Sequence, residues 1–219
     1  ISFLFILASI KSQTDASIKP YSFQHKANLN SNTISMPAFD LERELIAEHQ
    51  NRINKSGMYR FGYEHQTSIN FNNSAGWTVL PNGDKIAQLH LKSDGALSIN
   101  IIFSDFYLPE NTYLHVYNTE KSTLVGAYTS LNNNLNHILG TDLIKGDEMV
   151  IEFFQPHSIT ENPRLFINTV VHGYEDINGW YAQQKVNESG ACNMDVVCSD
   201  GIPWEKEIRS VARITNGGG

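Results

Sequence analysis

The chain has 219 residues, a net charge of −7 and 18% charged residues. This length allows one large domain, or one domain and a fragment of another. The acidic balance and the lack of a basic cluster argue against a nucleic-acid partner. After residue 10 no stretch is apolar over a length that spans a bilayer, so we expect no membrane span.

The first ten residues form an apolar run, Ile-Ser-Phe-Leu-Phe-Ile-Leu-Ala-Ser-Ile. This run is too short to cross a bilayer, but it fits the apolar region of a secretory signal. Because the chain starts without Met, we interpret residues 1–12 as a truncated signal peptide, with Ser12 before the cleavage position. The alternative is a buried strand. Residues 13–35 are rich in Ser, Asn and Gln and predict a loose leader.

A helix is predicted over residues 37–54. Asp40 is a suitable N-cap, because its side chain can accept a hydrogen bond from the first turn. The apolar residues recur at roughly helical spacing and predict a buried stripe; they are Leu41, Leu45, Ile46 and Ile53. The three glutamates of this segment are expected to form a solvated face rather than an acid–base site; they are Glu42, Glu44 and Glu48.

From about residue 59 to residue 174 the pattern is typical of strands. Asn82-Gly83 and Asp94-Gly95 each lie between two strand-like runs. Both dipeptides predict tight hairpins, because a type I′ turn needs positive φ at both central residues. Gly146-Asp147 predicts another turn, before a strand over residues 149–154.

Alternation along the strands predicts which residues form the core. One strand places four apolar side chains on a single face: Leu97, Ile99, Ile101 and Phe103. Another places Leu114 and Val116 opposite Tyr113, His115 and Tyr117. Closely spaced strands without helical segments between them predict a mainly β fold, an antiparallel, jelly-roll-like β-sandwich over residues 36–180 with one N-terminal helix.

The two cysteines, Cys192 and Cys198, are separated by five residues. A local disulfide between them is one interpretation, and a metal-binding pair is another. A zinc site would need further ligands, but the nearest histidine is His172 and there is no second cysteine pair. We therefore expect no metal and no cofactor.

The cysteine segment carries the most specific motif of the chain. It reads Cys-Asn-Met-Asp-Val-Val-Cys at 192–198, followed by Trp204 and by Ile-Arg-Ser-Val-Ala at 208–212. This grouping resembles the start of the mature catalytic domain of secreted bacterial trypsin-like serine endopeptidases of the lysyl endopeptidase type. Several motifs ahead of it resemble the prodomain of the same family, in order Met36-Pro37, Arg60-Phe61-Gly62, Gly76-Trp77, Gly95-Ala96-Leu97-Ser98, Leu108-Pro109, Ile151-Glu152 and His172-Gly173-Tyr174.

The similarity covers most of residues 36–219 and implies a domain organisation. Residues 36–180 would be the prodomain, and residues 189–219 the N-terminal fragment of a chymotrypsin-like β-barrel domain. The strand at residues 88–90 lacks an aromatic residue that the family leads us to expect. The family also implies that Cys192 and Cys198 each bond to a distant cysteine; those partners would lie beyond Gly219.

Residues 181–188 would be the processing linker of such a precursor, cut between Lys185 and Val186. A polar linker without helix or strand periodicity is readily nicked by proteases. Lys185 is also the only lysine or arginine between Arg164 and Lys206. A cut after lysine would let the mature enzyme process its own precursor. The alternative is that Lys185 is an ordinary solvated linker residue and that a host protease cuts elsewhere. The partners implied are its own catalytic domain and, for the mature enzyme, protein substrates.

Catalytic residues of such an enzyme are not expected in this segment. The family places its histidine in Ala-Ala-His-Cys and its serine in Gly-Asp-Ser-Gly, and neither string occurs. We therefore expect the chain itself to be inactive. His90 and His115 are predicted to be solvated. Asp105, Asp142 and Glu152 could supply a glycosidase pair, but turn and rim positions explain them more simply.

Two function classes remain. The first, which the resemblance implies, is the propeptide region of a secreted bacterial serine endopeptidase precursor, which would assist folding of the protease and inhibit it until cleavage. The second is a carbohydrate-binding or adhesion module, because a sandwich fold alone does not define a function. In that case four tyrosines would build a sugar platform; they are Tyr107, Tyr113, Tyr117 and Tyr128.

Overall fold

The computed structural model describes residues 14–54 and 59–181. Its helices are α1 (Tyr21–Gln24), α2 (Leu41–Asn54) and α3 (Phe71–Ser74), with a 3₁₀ turn at Ser130–Asn132. Its strands are β1 (Ser31–Ser35), β2 (Gly62–Asn70), β3 (Gly76–Val79), β4 (Lys85–Lys92), β5 (Ser98–Tyr107), β6 (Tyr113–Asn118), β7 (Leu124–Tyr128), β8 (Leu139–Gly140), β9 (Ile144–Lys145), β10 (Glu148–Gln155) and β11 (Arg164–Gly173). No helix within these two ranges is long and apolar enough to cross a membrane.

The strands form two open sheets. The six-stranded sheet has the order β1-β4-β10-β6-β7, with β3 also paired to β4, and the five-stranded sheet has the order β2-β11-β5-β8, with β9 also paired to β5. The mainly β, sandwich-like prediction is thus confirmed. The expected start of a β-barrel, residues 189–219, lies outside the described residues.

One apolar cluster lies between the two sheets and draws on both. Leu89 and Ile151 contribute from the six-stranded sheet, and Ile101 and Phe103 from the five-stranded sheet; all four side chains are fully buried. Burying a side chain of this size stabilises the fold by about 1.5–3 kcal/mol. The predicted alternation is confirmed for Ile99, Ile101 and Phe103 of β5 and for Leu114 and Val116 of β6, which lie in this cluster. It is wrong for Leu97, which precedes β5 and is only half-buried, while Ala96 lies in the cluster instead.

The two turn dipeptides have different outcomes. Asn82-Gly83 joins β3 to β4 in an antiparallel hairpin, and Gly83 has a φ of +89°. Asp94-Gly95 also forms a turn, with Gly95 at φ +81° and a hydrogen bond from Ala96 N to Ser93 O of 3.0 Å. The predicted second hairpin is nevertheless wrong, since this turn carries the chain from β4 in one sheet to β5 in the other.

The leader has more structure than the sequence predicted. Residues 14–30, here called the N-terminal strap, cross the outer face of the six-stranded sheet and lead into β1. This strand pairs with β4 in a parallel arrangement, Ser31 opposite Gln88, and so departs from a purely antiparallel sandwich. Gly76 permits the close approach, because a Cβ there would come within 2.6 Å of Ser31 N.

Candidate functional site

The predicted processing residues and cysteines cannot be placed in the fold. Lys185, Val186, Cys192 and Cys198 lie outside the described residues, which end at Tyr181. The structure does describe how the chain approaches them. Residues 174–181, here called the exit segment, follow β11 and end four positions before Lys185.

Backbone hydrogen bonds and packing hold the exit segment against the sandwich. The N–H groups of Tyr174 and Glu175 both donate to Phe61 O, at 3.0 and 3.1 Å. Asp176 caps the following turn by accepting from Trp180 N and Tyr181 N, at 2.8 and 2.7 Å. Ile177 and Trp180 pack on a small buried cluster of Phe61, Leu143 and Val171. The chain is therefore anchored up to Tyr181.

Helix α2 is bonded to the exit segment through charged side chains. Arg52 donates from Nη2 to Glu175 Oε1, and Tyr59 Oη donates to Glu175 Oε2 at 2.7 Å. The Arg52 guanidinium lies 4.7 Å from the centre of the Tyr59 ring. Burial, followed by the hydrogen bond to Glu175, raises the pKa of Tyr59 to about 12. This contact was not predicted, because the spacing of the sequence does not indicate that residues 52 and 175 meet.

The orientation of α2 about its axis differs from the predicted one. The helix starts at Leu41, and Asp40 is its N-cap as predicted, accepting from Arg43 N at 3.0 Å. Glu48, predicted to be solvated, is its one buried side chain among the described residues, with 4% exposure. Its Oε1 accepts from Arg52 Nε and from Arg60 N, each at 3.2 Å.

The predicted apolar stripe of α2 consequently faces solvent. Its four side chains are exposed to increasing degrees: Leu41 by 36%, Leu45 by 41%, Ile46 by 53% and Ile53 by 67%. Apolar side chains grouped on one surface element are typical of interaction sites. We regard this surface, here called the α2 apolar face, as the candidate functional site.

A second feature is a row of polar side chains on the outer face of the six-stranded sheet. Gln88, Glu152 and His115 lie directly opposite one another on β4, β10 and β6. Glu152 Oε2 accepts from Tyr117 Oη at 2.6 Å and from Gln88 Nε2 at 2.9 Å. The rim position expected for Glu152 is wrong, since it lies in a central strand with 1% exposure.

The N-terminal strap covers this polar row. Ser22 N donates to Glu152 Oε1 at 3.1 Å, and the Ser22 hydroxyl lies 2.9 Å from Tyr117 Oη. His115 Nε2 lies 3.1 Å from Ile18 O and is buried, so the prediction that His115 is solvated is wrong. Burial lowers the pKa of His115 and raises that of Tyr117. Polar groups of the sheet that would otherwise contact solvent thus form hydrogen bonds with the strap.

A third feature is a pair of buried histidines, His65 on β2 and His172 on the neighbouring strand β11 of the five-stranded sheet. The Phe39 ring stacks on Tyr63 at 4.2 Å and meets the rings of His65 and His172 edge-on, at 5.5 and 4.8 Å. His172 Nδ1 lies 2.8 Å from the Ser93 hydroxyl. Neither Nε2 atom has a hydrogen-bond partner among the described residues. Burial lowers the pKa of both histidines, so both are neutral near pH 7.

The four tyrosines proposed as a sugar platform are not presented together. Tyr117 and Tyr128 are buried. Tyr107 lies under the Arg164 guanidinium at 4.7 Å, and Tyr113 stacks on Phe154 with ring centres 6.1 Å apart. An open groove of about 1110 Å³ lies between strap residues 14–17 and the loop around Asn132, Asn133 and Asn134, and of the four tyrosines Tyr128 alone lines it.

Within residues 14–54 and 59–181 no three histidine, cysteine or acidic side chains are grouped so that they could hold a metal ion. No protein-family model matches the chain.

Proposed function

We propose that this chain is the propeptide region of a secreted bacterial serine endopeptidase precursor, joined to the first residues of the catalytic domain. The observation that carries the proposal is the motif at 192–198, with Trp204 and residues 208–212 after it. In the sequence this motif follows the sandwich, which is the order that the resemblance implies. Peptide-bond hydrolysis would belong to the parent enzyme.

The hydrogen bonds that anchor the exit segment support cleavage in the linker that follows it. The chain is held by backbone hydrogen bonds at Glu175 and by the Asp176 cap up to Tyr181. A cut between Lys185 and Val186 would then separate the sandwich from the catalytic domain without breaking a contact of the described fold. Self-processing after lysine would require that the parent's specificity pocket accepts lysine, through an acidic group that pairs with the ammonium.

Assistance in folding is the physical benefit of such a propeptide. A two-barrel serine protease depends on long-range strand pairing, which forms slowly and leaves strand edges exposed meanwhile. A sandwich made first during synthesis could shield these edges while the downstream domain folds. The same contact would inhibit the enzyme until the linker is cut. The partners proposed are the chain's own catalytic domain and, after maturation, protein substrates, in an extracellular location.

A carbohydrate-binding or adhesion module remains the second candidate, and the groove beside the strap is the observation that favours it. Asp15 and three asparagines line this groove, and carboxylate and amide groups suit the hydroxyls of a sugar. Isothermal titration with soluble oligosaccharides separates the two candidates. Saturable binding that is lost in Asn133→Ala would favour the module.

The experiment that tests the proposal begins with the coding sequence downstream of residue 219. We expect a histidine, an aspartate and a Gly-Asp-Ser-Gly motif, in that order. The complete precursor and a variant lacking residues 14–181 are then expressed for secretion. Active protease from the complete precursor, with little or none from the deletion variant, is the expected result. A downstream sequence without these motifs, or equal activity from both, would contradict the proposal.

A further inference from the structure

The α2 apolar face is unusual because the one side chain that α2 buries among the described residues is a carboxylate, that of Glu48. At 100° per residue its four apolar positions, Leu41, Leu45, Ile46 and Ile53, fall within an arc of about 140°. On the same count Ile46 and Ile53 lie about 160° and 140° away from Glu48, whereas Leu41 and Leu45 lie within about 60° of it. Hydrogen bonds of Glu48 to Arg60 and of Arg52 to Glu175 hold the Glu48 side of the helix against the protein. The outward direction of Ile46 and Ile53 therefore follows from specific polar contacts, and rotation of the helix to bury these two side chains would break those contacts.

The position of this face relative to the rest of the chain identifies what can cover it. Arg52, on the last turn of α2, is bonded to Glu175, and the described chain ends six residues later at Tyr181. The chain after residue 181 therefore begins within six residues of a contact to α2, at Tyr181, whose ring lies 4.8 Å from Lys145 Nζ. Twenty residues separate residue 181 from residue 202, and a random-coil chain of that length has an average span of about 25 Å, comparable with the roughly 21 Å length of a fourteen-residue helix.

The chain after these twenty residues contains a segment with several apolar side chains, which could contact the α2 apolar face. Residues 202–214 read Ile-Pro-Trp-Glu-Lys-Glu-Ile-Arg-Ser-Val-Ala-Arg-Ile, with Trp204, Ile208 and Val211 spaced along it. These apolar residues need cover as long as the remainder of the catalytic domain has not folded around them. Since both surfaces belong to one chain, their effective concentration is in the millimolar range and a modest contact suffices.

We propose that the α2 apolar face is the docking surface for residues 202–214 of the same chain. The inference rests on the proposed function, because that segment would be the first part of the catalytic domain. In the precursor the helix would hold the segment beside the sandwich until its barrel partners arrive. The face would therefore be the contact through which the propeptide assists folding.

Site-specific photocrosslinking on the whole chain tests this inference. A photoreactive benzoylphenylalanine replaces Ile53 in one variant and Ile46 in a second, so that the result does not depend on one substitution. A third variant carries it at Leu135, a loop residue that is 98% exposed. After irradiation, the crosslinked peptides are mapped by mass spectrometry, and electrophoresis separates adducts within one chain from adducts between two.

We expect both α2 variants to give adducts within one chain that map to residues 202–214, at a yield at least tenfold above that of the Leu135 variant. Adducts confined to residues 14–181, adducts between two chains, equal yield from Leu135, or no adduct would each overturn the inference. The measurement needs no protease activity. Its failure thus leaves the proposed function standing, whereas a downstream sequence without protease motifs would refute that function and leave an observed contact intact.

Discussion

Arg52 of α2 pairs with Glu175 beyond the last strand, and this contact ties the helix to the segment through which the chain leaves the sandwich. The same guanidinium donates from Nε to Glu48, whose carboxylate is buried. A single side chain thus links the two structural features on which the proposed function depends.

Arg52→Met is expected to loosen α2. The substitution removes the bond to Glu175 and leaves the buried Glu48 carboxylate with only the Arg60 N–H as a donor among its described contacts, at a cost of about 1–3 kcal/mol. Hydrogen exchange followed by mass spectrometry should show faster exchange over α2 and little change in β10 and β11. Arg43→Met is the matched control, because Arg43 is exposed on the same helix. Equal exchange in both variants would show that the pair does not hold the helix.

Gly76→Ala is expected to disturb the junction of the strap and β1. The added Cβ would meet the backbone of Asn30 and Ser31 at 2.6–2.7 Å, and such overpacking costs about 1–3 kcal/mol. Gly140→Ala provides the control, since a Cβ at Gly140 meets no atom within 4 Å, and we expect a change within about 0.5 kcal/mol. Urea unfolding measures both. A Gly76→Ala protein as stable as the wild type would mean that β1 does not pack as described.

Tyr117→Phe is expected to destabilise the sandwich by about 1–3 kcal/mol, because the buried Glu152 carboxylate loses its closest donor. Tyr113→Phe keeps the stacking of that ring on Phe154 and should change the free energy of unfolding by no more than about 0.5 kcal/mol. Thermal and urea unfolding of the two variants give the comparison. If both substitutions cost the same, the polar row is not a coupled network.

The buried histidines should make the fold sensitive to acid. Burial lowers the pKa of His65 and His172, so at a pH below about 6.5 the unfolded chain binds protons that the folded chain does not. The stability contributed by the neutral imidazoles is therefore complete above that pH. It is lost as the pH falls from the unfolded value towards the lowered folded values.

His65→Phe isolates this effect, because phenylalanine keeps an aromatic ring beside Phe39 and does not titrate. Urea unfolding at pH 7.5 and pH 5.0 should show a smaller loss of stability in this variant than in the wild type. His49→Gln, an exposed position on α2, should keep the loss of the wild type. An unchanged loss in His65→Phe would assign the acid sensitivity to other groups.

Local signals in the sequence were sufficient to predict a sandwich but not to predict how its strands are connected. Asn82-Gly83 specifies a turn whose two strands pair, and alternation correctly placed Ile101 and Phe103 in the core. Asp94-Gly95 specifies a turn equally well, yet turn chemistry does not determine whether the next strand joins the same sheet. The assignment of strands to sheets depends on long-range packing.

The candidate site was less predictable for a related reason. The stripe of Leu41, Leu45, Ile46 and Ile53 predicts a buried face on the assumption that apolar residues point inward. Here the hydrogen bonds of Glu48 to Arg60 N and of Arg52 to Glu175 outweigh that tendency, and no local pattern connects residues 60 and 175 to the helix. Lys185 and the two cysteines lie outside the described residues, so their predicted roles stay predictions.

N-terminal sequencing of the secreted, mature enzyme tests the central claim most directly. The wild-type precursor, Lys185→Gln and the control Lys206→Gln, which changes the next basic residue along the chain, are expressed under the same conditions. We predict a mature chain that begins at Val186 in the wild type and in Lys206→Gln, and failed or misplaced processing in Lys185→Gln. A mature chain that begins elsewhere, or normal maturation of Lys185→Gln, would contradict the account.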